Sequence, residues 1–273
     1  MTAERAAAPH AVARPWRRPP LIRNARLRWA LWIGAGVYLA AALGTLDINP
    51  QRIVQGWERG GRFVGGFFPP DFASRGEAIV EGVLESLWMA VVATVVGIVL
   101  SVPIGVGGAR NLSIAPVYLV CRSIMAVSRT LPEILVAILF VKLFGFGTFA
   151  GFVTLTFATV GYFGKLLAED IEAANPAPLE AMRAVGASWL QRLDYAVRPL
   201  VMPRAIGIAL YRLDMNFRES AVIGIVGAGG IGATLNTAFD RYEYPSAAAI
   251  IIVIIAIVLA SEYTSAYCRK WVR

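Results

Sequence analysis

Two cysteines and one histidine in 273 residues leave little material for metal binding or nucleophilic catalysis. His10 lies in a Pro/Ala/Arg-rich stretch without partner ligands, and Cys121 and Cys268 read as neither a disulfide nor a metal pair. No G-x-x-x-x-G-K-[ST] loop occurs, so a Walker A nucleotide site is excluded from this chain. Charge is also scarce. Asp, Glu, Lys and Arg make up 16% of the chain, against about 25% in soluble domains. Neither a catalytic residue nor a metal site is expected, and no cofactor on this chain.

Apolar residues make up 57%, and mean hydropathy is +0.61. Runs without a charged side chain cover Trp29–Leu46, Ser86–Ala109, Leu143–Gly164 and Tyr244–Ser261. Each approaches or exceeds the ~18–20 residues that cross a bilayer as a helix. Two more candidates, Ala115–Phe144 and Arg204–Val226, carry internal charges. The pattern predicts an all-α, polytopic membrane helix bundle of about six transmembrane helices, with five as the alternative.

The net charge of +8 does not mark a nucleic-acid protein, because the basic residues flank the apolar runs instead of forming one soluble face. Arg5, Arg14, Arg17, Arg18, Arg23, Arg26 and Arg28 precede the first run, and Arg269, Lys270 and Arg273 follow the last. The positive-inside rule then places both termini in the cytoplasm, together with the 165–204 loop. Residues 1–27 read as a disordered basic cytoplasmic tail and 28–46 as the first transmembrane helix, uncleaved. An external loop with an interfacial segment follows at 47–81. The transmembrane domain covers 82–267, with a cytoplasmic hairpin at 174–200, and 268–273 form a short cytoplasmic tail.

Within that plan, Pro132 is expected to kink or unwind the third span. The fifth candidate carries Arg212, Asp214, Arg218 and Glu219, and charges at membrane depth face a bundle interior or a polar path. Asp214 and Arg218 stand at i,i+4 and are able to pair. Arg122, Lys142 and Arg212 divide between snorkelling near helix ends and function. Arg129, beside Pro132, and Arg218, with Asn216, are the residues expected to line a path for an anion. Gly227–Gly232 satisfies G-x-G-x-x-G, but it follows a membrane span and position 252 is Ile, so a close-packed turn is expected there and not a dinucleotide site.

The polar hairpin is the most informative stretch. Asn175-Pro176 predicts a helix start, Leu179, Met182 and Val185 an apolar stripe, and Gly186 a C′ residue. Ser188 and Gln191 predict a capping box opening a second helix that Pro199 and Pro203 interrupt. Glu180-Ala181-Met182, three further residues, Gly186 and Pro199 resemble the EAA loop of type I ABC importer permeases. Met182, Ala196 and Arg198 depart from the loop's usual residues. Phe68-Pro69-Pro70-Asp71-Phe72, Ala109-Arg110-Asn111, Ser128-Arg129-Thr130-Leu131-Pro132-Glu133 and Gly161–Leu166 extend the likeness. With Asn216-Phe217-Arg218 leading into Val222–Gly232, these stretches resemble the phosphonate-importer permease family from about residue 67 onward.

That resemblance implies the type I ABC importer permease fold in a bacterial cytoplasmic (inner) membrane, and import of phosphonate or a related phosphorus oxyanion. It implies two copies of an ATP-binding subunit holding ATP and Mg, and a periplasmic or lipid-anchored phosphonate-binding protein. A second permease copy or close paralogue would complete the assembly within membrane lipid. Glu180, Ala181, Arg183 and Gly186 would couple to the ATPase, and Arg129, Pro132, Asn216 and Arg218 would line the translocation path. Permeases for methionine or quaternary amines share the glycine-rich ending and form the alternative substrate class. A non-transport membrane scaffold is the competing class.

Overall fold

The computed structural model describes residues 22, 24–46 and 50–271. The basic stretch 1–21 with His10, residues 23, 47–49 and 272–273, and the side chains of Ala266, Cys268, Arg269, Lys270 and Trp271 lie outside the described residues. The chain divides into two compact units at Gly61/Arg62.

In the first unit, helix α1 covers Ala25–Thr45, with Asn24 Oδ1 accepting from the Arg26 amide at 3.0 Å. None of its residues is buried, and its apolar side chains point in every direction, as suits a helix surrounded by lipid. Helix α2, Pro50–Gly65, runs across the boundary and is amphipathic. Ile53, Val54, Trp57 and Val64 fall on one side, and Arg52, Gln55, Glu58, Arg59 and Arg62 on the other.

The second unit is built around helix α3, Gly76–Gly107, which packs along helix α6, Thr148–Ala173. Ala90, Ala93, Gly97 and Ser101 are buried in this contact. Small residues let the backbones approach closely: a methyl added at Gly97 would lie 2.6 Å from Thr159 Cβ. Helices α4, Ala115–Thr130, and α5, Glu133–Phe144, meet at a 95° bend. Leu131 is driven to extended backbone (ψ 124°) by the following proline. The kink expected in one span is therefore a corner between two helices.

Helix α7, Ala177–Ala184, and helix α8, Trp189–Arg192, form the hairpin. A π-helical turn, Leu193–Val197, leads into helix α9, Arg198–Gly224. Pro199 and Pro203 do not interrupt the chain as the sequence implied. The Arg198 amide donates to the Leu193 carbonyl five residues back, and this widened turn admits the Pro199 ring without the usual clash. Helices α10, Gly230–Asp240, and α11, Tyr244–Trp271, complete the chain. Arg75, capping α3, pairs with Glu243 ahead of α11, and this hydrogen bond holds the Glu243 carboxyl below its ordinary range.

Among the described residues four helices are long and apolar enough to cross a membrane, or five if the bent pair counts as one span. The sixth crossing rests on α9, whose 27 residues suffice in length but carry Arg198, Arg204, Arg212, Asp214, Arg218 and Glu219. Those charges are tolerable because α9 packs against α3, α6, α10 and α11 instead of lipid alone.

Candidate functional site

Arg212, Asn216 and Glu219 fall at i, i+4 and i+7, so α9 presents them along one face toward α3 and α6. Asn216 Nδ2 donates to Thr94 Oγ1 at 2.8 Å and to Thr159 Oγ1 at 3.0 Å. Thr159 Oγ1 also accepts from Arg212 Nε at 3.2 Å and donates to the Leu155 carbonyl at 2.7 Å, which uses its whole hydrogen-bonding capacity. Arg212 grips Glu219 with both terminal nitrogens, Nη1 to Oε1 at 3.3 Å and Nη2 to Oε2 at 3.0 Å. Its Nη2 also donates to Glu133 Oε1 at 3.3 Å.

Glu133 is the first residue of α5, so the Pro132 corner is what carries this carboxylate to Arg212. A carboxylate at a helix N-terminus is favoured by the helix dipole. Arg212 is 1% exposed, which rules out the snorkelling alternative for it. The Tyr162 ring of α6 contacts two guanidiniums, with Arg212 Cζ at 5.5 Å and Arg129 Cζ at 5.9 Å from its centroid. Both are within cation–π range. Tyr211 lies beside it, 6.2 Å between ring centroids.

Four residues were expected on the path. The structure brings Arg129, Pro132 and Asn216 to this one cluster, with Arg129 exposed and Asn216 buried. Arg218 stands apart, roughly a third of a turn round α9 from Arg212. It pairs with Asp214 at 3.4 Å, and Asp214 accepts from Ser261 of α11. The sequence reading passed over Glu133, and over Arg212 and Glu219 as a pair. The i, i+4, i+7 spacing of polar residues on α9 was the signal for the latter two.

The four coupling candidates, Glu180, Ala181, Arg183 and Gly186, are all exposed. Behind them, Leu179 is buried and Met182 packs on the same cluster as Phe163, Leu167 and Val201. Val185 is 77% exposed and does not continue the stripe, because Gly186 at φ +77° ends the helix there and turns the chain away. The Ala187 amide donates to the Met182 carbonyl at 3.0 Å, closing a Schellman turn. Arg183 Nη2 donates to the Asn111 carbonyl at 3.1 Å and Trp189 Nε1 to the Leu112 carbonyl at 3.1 Å. Asn111 Nδ2 reaches the Ile171 carbonyl at 3.0 Å. The hairpin is thus tied through the 109–113 turn to the end of α6.

The glycine-rich loop does hold an anion, but the anion belongs to the protein. Glu85 Oε2 accepts from the Gly230 amide at 3.1 Å and Ser86 Oγ from the Ile231 amide at 2.9 Å. These satisfy two of the donors that open α10. With that, the dinucleotide resemblance is accounted for as helix–helix packing.

A bundle of apolar helices around a buried polar seam, with an exposed polar hairpin fastened to its helix ends, defines a multi-pass membrane transport subunit of the type I ABC importer permease fold. The chain belongs to the family of binding-protein-dependent transport system inner membrane components, matched over residues 97–273. It is 35% identical to the phosphite transport system permease protein PtxC of Stutzerimonas stutzeri, with 93% of this chain and 94% of that protein covered. It is 40% identical to the phosphate-import permease protein PhnE of Mycolicibacterium smegmatis over 74% of this chain; there it spans 38% of the relative's length. A solved chain of the MetNI methionine ABC transporter, in an inward-facing conformation, shares the fold with a TM-score of 0.65 at 21% identity. That match covers 74% of this chain and 99% of the other.

Proposed function

We infer that this chain is the membrane permease of an ATP-driven importer for phosphonate or a related phosphorus oxyanion such as phosphite. The observation that carries the reading is the near end-to-end similarity to a phosphite permease, over 93% of this chain and 94% of that one. The reading places both termini and the 174–200 hairpin in the cytoplasm and the 47–81 segment outside. Two ATP-binding subunits grip the hairpin through Glu180, Ala181, Arg183 and Gly186. ATP with Mg binds on those subunits, and a phosphonate-binding protein delivers the anion from the far side. A second permease copy or paralogue closes the path, along which Arg129, Pro132, Asn216 and Arg218 lie. Nucleotide on one side and loaded binding protein on the other bias two packings of the same helices.

The substrate reading is tested by co-producing the permease with a cognate ATPase subunit and binding protein and measuring uptake of labelled phosphite, methylphosphonate, methionine and choline. Uptake of the phosphorus compounds is expected; uptake of methionine or choline in their place would overturn it. The coupling role is tested with Gly186→Trp. Nothing in the chain lies within 4 Å of a Cβ built at Gly186, so the permease's own packing is spared. Side-chain strain at positive φ costs about 1–2 kcal/mol, and the added bulk faces the partner. Uptake and co-purification of the ATPase should both be lost while membrane insertion persists. Wild-type values of both would remove the hairpin from the coupling scheme.

A further inference from the structure

We propose that Arg212 and Arg129 form a two-guanidinium site for the transported oxyanion, and that Glu133 is the carboxylate that Arg212 releases to take it. This rests on the phosphorus-oxyanion reading above and names the site where the anion would be held.

Both guanidiniums lie against one ring, Tyr162, and their distances to it bound their separation at about 11 Å. Arg129 is exposed and has no ion-pair partner among the described residues. Arg212 is sealed from solvent and fully engaged, but its two carboxylates are not equivalent. Glu219 takes both terminal nitrogens, the shorter bond being 3.0 Å, and its side chain is 16% exposed. Glu133 takes one nitrogen at 3.3 Å and is 31% exposed. Glu133 thus sits on the open side of Arg212 with the weaker grip, and Glu219 anchors the guanidinium from behind.

Formal charge points the same way. Glu133 and Glu219 set two carboxyls against the one buried guanidinium of Arg212, so it is not left unpaired in the empty site. An arriving oxyanion competes with these carboxyls for the same guanidinium, so one of them has to withdraw. Glu133 is the one able to do so, because it begins α5 immediately after the 95° corner at Pro132. Its withdrawal frees an N–H on Arg212 Nη2. An oxyanion oxygen accepts from that N–H as a charge-assisted bond while Glu219 keeps the rest of the guanidinium in place, two contacts at once that a lysine ammonium in this position would not reproduce. Swinging Glu133 also moves the start of α5, which links anion capture to the corner between α4 and α5.

The test uses the assembled permease–ATPase complex with inorganic phosphite as probe, its binding read by phosphorus-31 line broadening and its uptake in vesicles supplied with binding protein. Wild type should broaden the signal. Arg129→Gln and Arg212→Lys should each weaken phosphite binding roughly tenfold, the size of one charge-assisted contact. The lysine keeps the buried charge opposite Glu219 but loses the fork, which guards against simple misfolding. Glu133→Gln should bind phosphite more tightly than wild type, a gain that a purely structural Glu133 would not produce. Wild-type uptake with unchanged binding in both arginine variants, or weaker binding in Glu133→Gln, overturns the two-guanidinium site alone. No uptake of any phosphorus oxyanion by the wild-type assembly overturns the substrate reading and the site with it.

Discussion

Arg212→Met is expected to destabilise the protein by about 3–5 kcal/mol, the cost of removing one partner from a buried ion pair. The mechanism is specific. Without the guanidinium, the Glu219 and Glu133 carboxyls are left together in a seam walled by α3, α6 and α9 without the donor they shared, and Thr159 loses a donor that occupies one of its lone pairs. Breaking such a pair costs more than never having had it. The triple variant Arg212→Met/Glu219→Gln/Glu133→Gln should therefore recover most of the thermal stability, measured by detergent-phase unfolding of the purified protein. Uptake should stay absent in both, because the triple variant restores neutrality without restoring a cation. A loss below about 1 kcal/mol in Arg212→Met would mean that water reaches Glu219 freely, and the seam would then be a wet channel even at rest.

That pair illustrates what was legible in the sequence and what was not. Spacing alone identified the hairpin: the Asn175 cap, the Ser188–Gln191 capping box and the turn at Gly186 are all present, because each depends on residues within one turn of chain. The long apolar runs were equally legible, since lipid imposes a simple length rule. Arg212 was not, since an arginine that snorkels and one locked in the core have the same local sequence. Only the fold decides between them, by bringing Glu133 from 79 residues away. Val185 fits the apolar period but is exposed, because the stripe ends where Gly186 turns the chain. Helix α10 was hidden inside a glycine-rich string that reads as a turn. Its start is satisfied by Glu85 and Ser86, which lie 145 residues earlier in the chain.

The same string sets the second large effect. Gly232→Ala is expected to cost about 3 kcal/mol, at the upper end of ordinary overpacking. The added methyl would overlap the Ala221 carbonyl and fall 2.9 Å from Gly224 Cα. Both are backbone, so no side chain is able to rotate aside, and α9 and α10 must separate. Their separation would not stay local. The end of α9 also carries Glu219, in the turn of helix just before Ala221 and Gly224, so a shift of this corner displaces the anchor of Arg212. Gly207→Ala on the same helix is the control, having nothing within 4 Å of its added Cβ; removal of a mid-helix glycine there should stabilise by about 0.5–1 kcal/mol. Unfolding midpoints and phosphite uptake on the two variants decide the matter. A Gly232→Ala protein as stable and active as wild type would mean that the α9–α10 contact yields without strain, and that the polar seam is positioned by α3 and α6 alone.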